Sequence, residues 1–323
     1  MGRSSWKSTD WNTYATTTAN TISSAKARGL SDYDARAQVF TSSGLKEYLD
    51  PKKVTIRESR DSEAHPNSTA IIIGLDVTGS MGMIAEKMAT VELGKLVNGL
   101  LDRDIVSDPH IMMMGIGDIN YDRVPLQASQ FETDISIAEQ LKDIYLEGGG
   151  GGNRYESYDL PWIFAASKTS IDCFEKRGKK GYLFTIGDEL PPQQPVRQGQ
   201  LLEATGCPAQ GDTNCKDSLE AAQQKYSVFH IIVEQGDFCR RSSSEVNRQW
   251  TALLGKRAIS LIDYECLSEV IMSVISVNEG ADPESVAASW EKPRVVDAVR
   301  HALGLSAAKR EATGTYSKSG SAW

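Results

Sequence analysis

The chain has 323 residues, with 35 Lys and Arg against 43 Asp and Glu for a formal net charge of −8. With 40% hydrophobic and 24% charged residues, its composition is that of an ordinary globular protein, which excludes global disorder and a fibrous repeat. The acidic balance argues against nucleic-acid binding, which needs clustered Lys and Arg.

No apolar run reaches the roughly 18 residues of a membrane span. The opening MGRSSWKSTD lacks the apolar core of a signal peptide, so the expected location is the cytoplasm of the cell that makes the protein. Cys173, Cys207, Cys215, Cys239 and Cys266 include no C-x-x-C pair and read as reduced thiols. Cys207 and Cys215 bracket CPAQGDTNC, a loop that a disulfide can close outside the cytosol.

In chain order, residues 1–68 read as an N-terminal extension. Its first 20 residues are rich in Ser and Thr with Trp6, Trp11 and Tyr14 interleaved, giving an arm that docks through aromatics or stays disordered. Residues 30–49 carry helix-like spacing at Tyr33, Ala37 and Phe40, stopped by Pro51, and Val54 and Ile56 alternate with polar residues as a short strand. The run AIIIGL at 70–75 predicts a strand, followed by Ile84, Met88, Val91, Leu96, Val97 and Leu100 near helical spacing. Residues 111–116 predict a second strand, 124–131 a short edge strand and 135–146 a helix. A glycine run at 148–152 then leads into a helix near Trp162 and Ala166. Strands are expected at 182–186, 228–233 and 258–262, with helices at 219–225, 246–254 and 267–277. Short apolar runs alternating with helices predict an α/β, doubly wound fold with a mostly parallel sheet covered on both faces. That domain spans 69–277, and 278–323 is a C-terminal helical extension ending in a flexible tail.

Open α/β sheets bind ligands outside the carboxyl ends of their strands, where strand order reverses. The first such end reads Asp76-Val77-Thr78-Gly79-Ser80, with a carboxylate and two hydroxyls at alternate positions that can face one point. Hard oxygen ligands of this kind suit Mg²⁺, Mn²⁺ or Ca²⁺; the plainer reading is that Thr78 or Ser80 caps the following helix. Asp188, after YLFTIG and before Pro191-Pro192, brings a second carboxylate to the same edge, although alone it reads equally as a turn residue. Between them EGGGGGNRYES offers glycines for unusual backbone angles or close approach to a ligand. No Gly-Lys-Ser/Thr follows, which excludes a P-loop.

LDVTGSM after an apolar strand, a glycine-rich loop after the second helix and TIGDELP after the fourth strand together resemble a von Willebrand factor A (vWA) domain over about residues 69–277. The resemblance implies five parallel strands plus one antiparallel edge strand, and a metal-ion-dependent adhesion site (MIDAS). In it Thr78 and Ser80 would bind the ion directly, Asp76 and Asp188 directly or through water, and an acidic residue of a protein partner would complete the shell. The glycine-rich loop lacks the family's Thr; Glu156 lies nearest that position, with Asn153 and Ser157 beside it. A Glu there adds negative charge, strengthening cation binding and weakening capture of an external carboxylate. The implied metal set is therefore Asp76, Thr78, Ser80, Glu156 and Asp188, with Mg²⁺, or Mn²⁺ or Ca²⁺, as the ion.

The lead-in RESRDSEAHPNS before IIIGLDVTGSMG also resembles vWA-domain proteins of tailed bacteriophages and bacteria, implying a virion or assembly component. The expected function is a non-enzymatic, cation-dependent protein-binding module, with an oligomer or particle as a further expectation. Two alternatives remain. One is a Mg²⁺-dependent phosphohydrolase of haloacid dehalogenase type, against which Thr78 occupies the place of the second Asp. The other is a purely structural assembly protein that binds through its terminal extensions.

Overall fold

Apolar runs bounded by turns fold as strands buried on both faces. In the computed structural model, residues 6–147 and 153–306 are described, apart from the side chains of Ser80 and Ala89. Their strands are β1 (Arg57–Ser59), β2 (Ser68–Asp76), β3 (Asp108–Ile116), β4 (Leu126–Ala128), β5 (Thr169–Ile171), β6 (Gly181–Gly187), β7 (Tyr226–Val233) and β8 (Ala258–Leu261). Six form one sheet in the order β4-β3-β2-β6-β7-β8. Its neighbours are parallel except β4, which pairs antiparallel with β3 at one edge. The expected α/β class, mostly parallel sheet and single antiparallel edge strand are observed. β1 and β5, outside that sheet, form a separate parallel pair.

The helices are α1 (Ser8–Ala27), α2 (Asp32–Arg36), α3 (Gly82–Lys87), α4 (Leu93–Asp102), α5 (Ser136–Lys142), α6 (Asp159–Lys168), α7 (Asp172–Glu175), α8 (Gln198–Thr205), α9 (Cys215–Gln223), α10 (Asp237–Leu254), α11 (Leu267–Asn278), α12 (Pro283–Ala288) and α13 (Pro293–Ala302). Alternation along the strands divides the core between them. Ile71, Ile73 and Leu75 of β2 pack in one layer with residues of α1, α4, α11 and α13. Ala70 and Ile72 face the other layer with residues of α6, α8, α9 and α10. The chain leaves β2 through α3 and α4 on the first face and leaves β6 through α8 and α9 on the second. Strand order runs outward from β2 through β3 to β4 and from β6 through β7 to β8, and the boundary between two such runs is where open sheets leave a crevice.

Where the sequence suggests an aromatic arm, the chain forms the 20-residue helix α1. Its buried stripe is Trp11, Tyr14, Thr18, Ile22 and Ala25, spaced as one helical face. The hydroxyls of Thr13, Thr17 and Thr21 donate to the carbonyls four residues earlier, which accommodates threonine inside a helix. Trp11 lies flat on Gly94 of α4, where a Cβ would come within 1.8 Å of its Nε1. α3 and α4 are joined by a π-helical turn, Met88–Glu92. The buried Glu92 carboxylate there accepts from the backbone N and the hydroxyl of Ser268 in α11.

The helix expected over 30–49 is restricted to α2, and the strand expected at Val54 and Ile56 is displaced to β1. The glycine run at 148–152 and tail residues 307–323 lie outside the described residues. All five cysteines are free thiols. Among the described residues no helix is long and apolar enough to cross a membrane.

Candidate metal centre

Leu75 pairs with Ile186 across β2 and β6, which places Asp76 and Asp188 at the carboxyl ends of adjacent strands, beside the crevice. Past Asp76 the chain stays tied to the sheet, because Val77 N donates to the Ile116 carbonyl at 3.0 Å. Gly79 then turns with a φ of +37°, a region that favours glycine, and starts a 3-10 turn into α3. The Asp76 carboxylate is fully buried and closely held. Its Oδ1 accepts from Thr78 N at 2.9 Å and from the Thr78 hydroxyl at 2.6 Å, and its Oδ2 accepts from the Tyr158 phenol at 2.8 Å.

Glu156 reaches the same point from the segment between the glycine run and α6. That segment is threaded between two strand ends: Ser157 N donates to the Gly117 carbonyl, and Leu190 N donates to the Arg154 carbonyl. Glu156 is buried, with Oε1 3.2 Å from the Thr78 hydroxyl and, among the described residues, no hydrogen-bond partner for Oε2. Asp188 is anchored from below by α10, whose first turn donates Phe238 N to its Oδ2 at 2.8 Å. Gly236 makes this approach possible, since a Cβ there would stand 2.3 Å from the Asp188 side chain.

Burial and mutual repulsion govern the electrostatics. Burial pushes the Asp76 and Glu156 carboxyls above the usual carboxylate range, and the Asp76 charge raises Glu156 further. Burial also raises Asp188, opposed by the helix N–H groups of Phe238 and Cys239. Glu189 is pushed up to about 8 by burial and by the Asp76 and Asp188 charges. The charges acting most strongly on these four groups are all negative.

Of the sequence-predicted set, the structure brings Thr78 into contact with Asp76 and Glu156, and it places Asp188 at the end of the adjacent strand. The Ser80 side chain lies outside the described ones, although its backbone sits in the turn after Thr78. Of the alternatives to Glu156, Asn153 turns away to donate to Asp118, and the Ser157 hydroxyl accepts from Ile119 N. Among the described residues, no three His, Cys, Asp or Glu side chains converge as a ready ligand set.

Sequence reasoning missed the buried Tyr158, Asp118 and Asp159, and Glu189. A signal for Asp118 existed: Ile116-Gly117-Asp118 repeats Ile186-Gly187-Asp188 at the end of another sheet strand. Asp159, at the start of α6, is pushed up to about 7 by burial, opposed by the backbone N–H groups of Asp159 and Leu160.

No family model and no curated protein matches the chain. Among solved structures, the chain is similar to the pilus adhesin SpaC from Lactobacillus rhamnosus GG in its open conformation, at a TM-score of 0.46 and 8% identity, over 69% of this chain and 31% of the adhesin. A second form of the same adhesin aligns at a TM-score of 0.46 and 10% identity, over 69% of this chain and 32% of that one. The chain therefore spans about a third of the adhesin's length.

Proposed function

We propose that this chain is a vWA-type binding module, doubly wound, whose MIDAS-like centre holds a divalent cation and uses it to engage a protein partner. The observation that carries the reading is a set of buried, mutually repelling carboxyls at the adjoining ends of β2 and β6, among them Glu156, whose Oε2 has no partner among the described residues. Such a set must be neutralised by protons or by a cation. The residues suit a hard cation, because every donor is an oxygen of Asp76, Thr78, Glu156 or Asp188, with Ser80 completing the sequence pattern. Mg²⁺ is the expected ion, with Mn²⁺ and Ca²⁺ as substitutes.

Bound there, the ion would offset the local negative charge and offer a coordination position to a carboxylate of the partner. The negative charge of Glu156 favours the ion and works against that external carboxylate. The phage-like lead-in before β2 extends the proposal to a virion or assembly component. Calorimetric titration of the full chain with Mg²⁺ and Mn²⁺ tests the site. One binding event is expected, abolished by Asp76→Ala; equal heats from wild type and variant would overturn it.

A further inference from the structure

We propose that Tyr158 is the positioning residue of this centre, holding Asp76 so that the lone pairs of the Thr78 hydroxyl face the cation; the inference rests on the cation-site reading above. The Thr78 hydroxyl has one hydrogen. At 2.6 Å from Asp76 Oδ1, that hydrogen is committed to the carboxylate, and the oxygen's lone pairs are left for the side where Glu156 Oε1 lies 3.2 Å away. This polarity holds only while the Asp76 carboxylate keeps its plane. Oδ1 is fixed by two donors from one residue, Thr78, which moves with the loop. Among the described residues, Oδ2 is fixed from outside the loop by one donor, the Tyr158 phenol at 2.8 Å.

Tyr158 is built to be immobile. It is fully buried, and its ring meets His230 edge-on at 4.8 Å and Trp250 edge-on at 5.5 Å between ring centroids. Its hydroxyl occupies space that exists because residue 187 is glycine, where a Cβ would stand 2.0 Å from the phenol oxygen. Gly187 is the last residue of β6 and immediately precedes Asp188. The phenol therefore sits between the ends of β2 and β6, bonded to the carboxylate of one and in contact with the backbone of the other. The phenol carries one hydrogen, and the Asp76 carboxylate oxygen 2.8 Å away is the acceptor it faces.

Tyr158→Phe removes the donor and keeps the ring. Loss of a hydrogen bond to a metal-site carboxylate typically costs roughly 10–100-fold in metal affinity, and that weakening is expected for Mn²⁺ titrated into the variant. The electron paramagnetic resonance spectrum of bound Mn²⁺ is expected to change as well, a response that a purely structural role would not produce. Melting in EDTA serves as the folding control. Should Tyr158→Phe unfold, Gly187→Ala displaces the same hydroxyl by steric contact and is expected to weaken Mn²⁺ similarly. Wild-type affinity with an unchanged spectrum in a folded variant overturns the role of Tyr158 while leaving the site in place. Failure of wild type to bind Mn²⁺ overturns the site itself, and this inference with it.

Discussion

At the scale of single residues, the carboxyls at the ends of β2 and β6 and near the start of α6 act as a proton store. Each raised carboxyl binds its proton more tightly in the folded chain than in the unfolded one. Stability from these groups is thus fully present below the unfolded range of about pH 4 and lost as pH rises through the folded values. With Asp159 pushed to about 7 and Glu189 to about 8, the loss falls chiefly between pH 5 and pH 8. Denaturation in EDTA is therefore expected to give declining stability over that range. Glu156→Gln, an uncharged isostere, should make the decline shallower and leave the variant more stable than wild type at pH 8. Parallel pH profiles for wild type and variant would show that Glu156 carries no such proton. Divalent affinity should fall in the same variant, because the added negative charge is gone.

Asp76, Thr78 and Asp188 were legible in the sequence because polar residues directly after apolar runs stand out. Tyr158 was not. Its partner Asp76 lies 82 positions earlier in the chain, and nothing local distinguishes a phenol that donates to a carboxylate from one that fills a core.

At the scale of elements, the sheet strands were read nearly to their limits because burial on both faces makes them continuous apolar runs. The small β5 and the helix α8, which lack such a signature, were missed. α1 was missed for a different reason. Its stripe Trp11, Tyr14, Thr18, Ile22 and Ala25 has helical spacing, but Ser and Thr between those positions read as loop composition.

The helix belongs to the same apolar layer as α4 and α11, and its contact with Gly94 is close enough to exclude any side chain there. Trp11→Ala should accordingly cost about 3–5 kcal/mol in urea denaturation, behaving as a core truncation. A change under about 0.5 kcal/mol, as for an ordinary surface residue, would mean that the helix is not docked in solution.

At the scale of the whole molecule, strand order is the feature that no stretch of sequence displays. The apolar runs predict how many strands exist, whereas the placement of β6 beside β2 depends on which helices cover which face. That adjacency brings Asp76 and Asp188 together from positions far apart in the chain. On the proposed function, cation binding and folding are linked, since the unfolded chain has no such centre. Mg²⁺ at 100 times its dissociation constant should stabilise the fold by about 2.7 kcal/mol, read as a rise in melting temperature of a few degrees. Asp76→Ala should lose that rise, and an equal rise in the variant would place the ion elsewhere.

The π-helical turn at Met88–Glu92 has a consequence for chain length. A π turn holds one residue more than the α turn it replaces, and each residue of an α-helix advances the chain by roughly 100° of rotation. The two helical halves on either side are each anchored, one to the turn that follows Thr78 and the other to Trp11 through Gly94. Losing one residue between those anchors would leave both ends attached at incompatible angles. The stretch from Gly82 to Asp102 thus tolerates exchange of residues far better than a change in their number, even on its solvent-facing side.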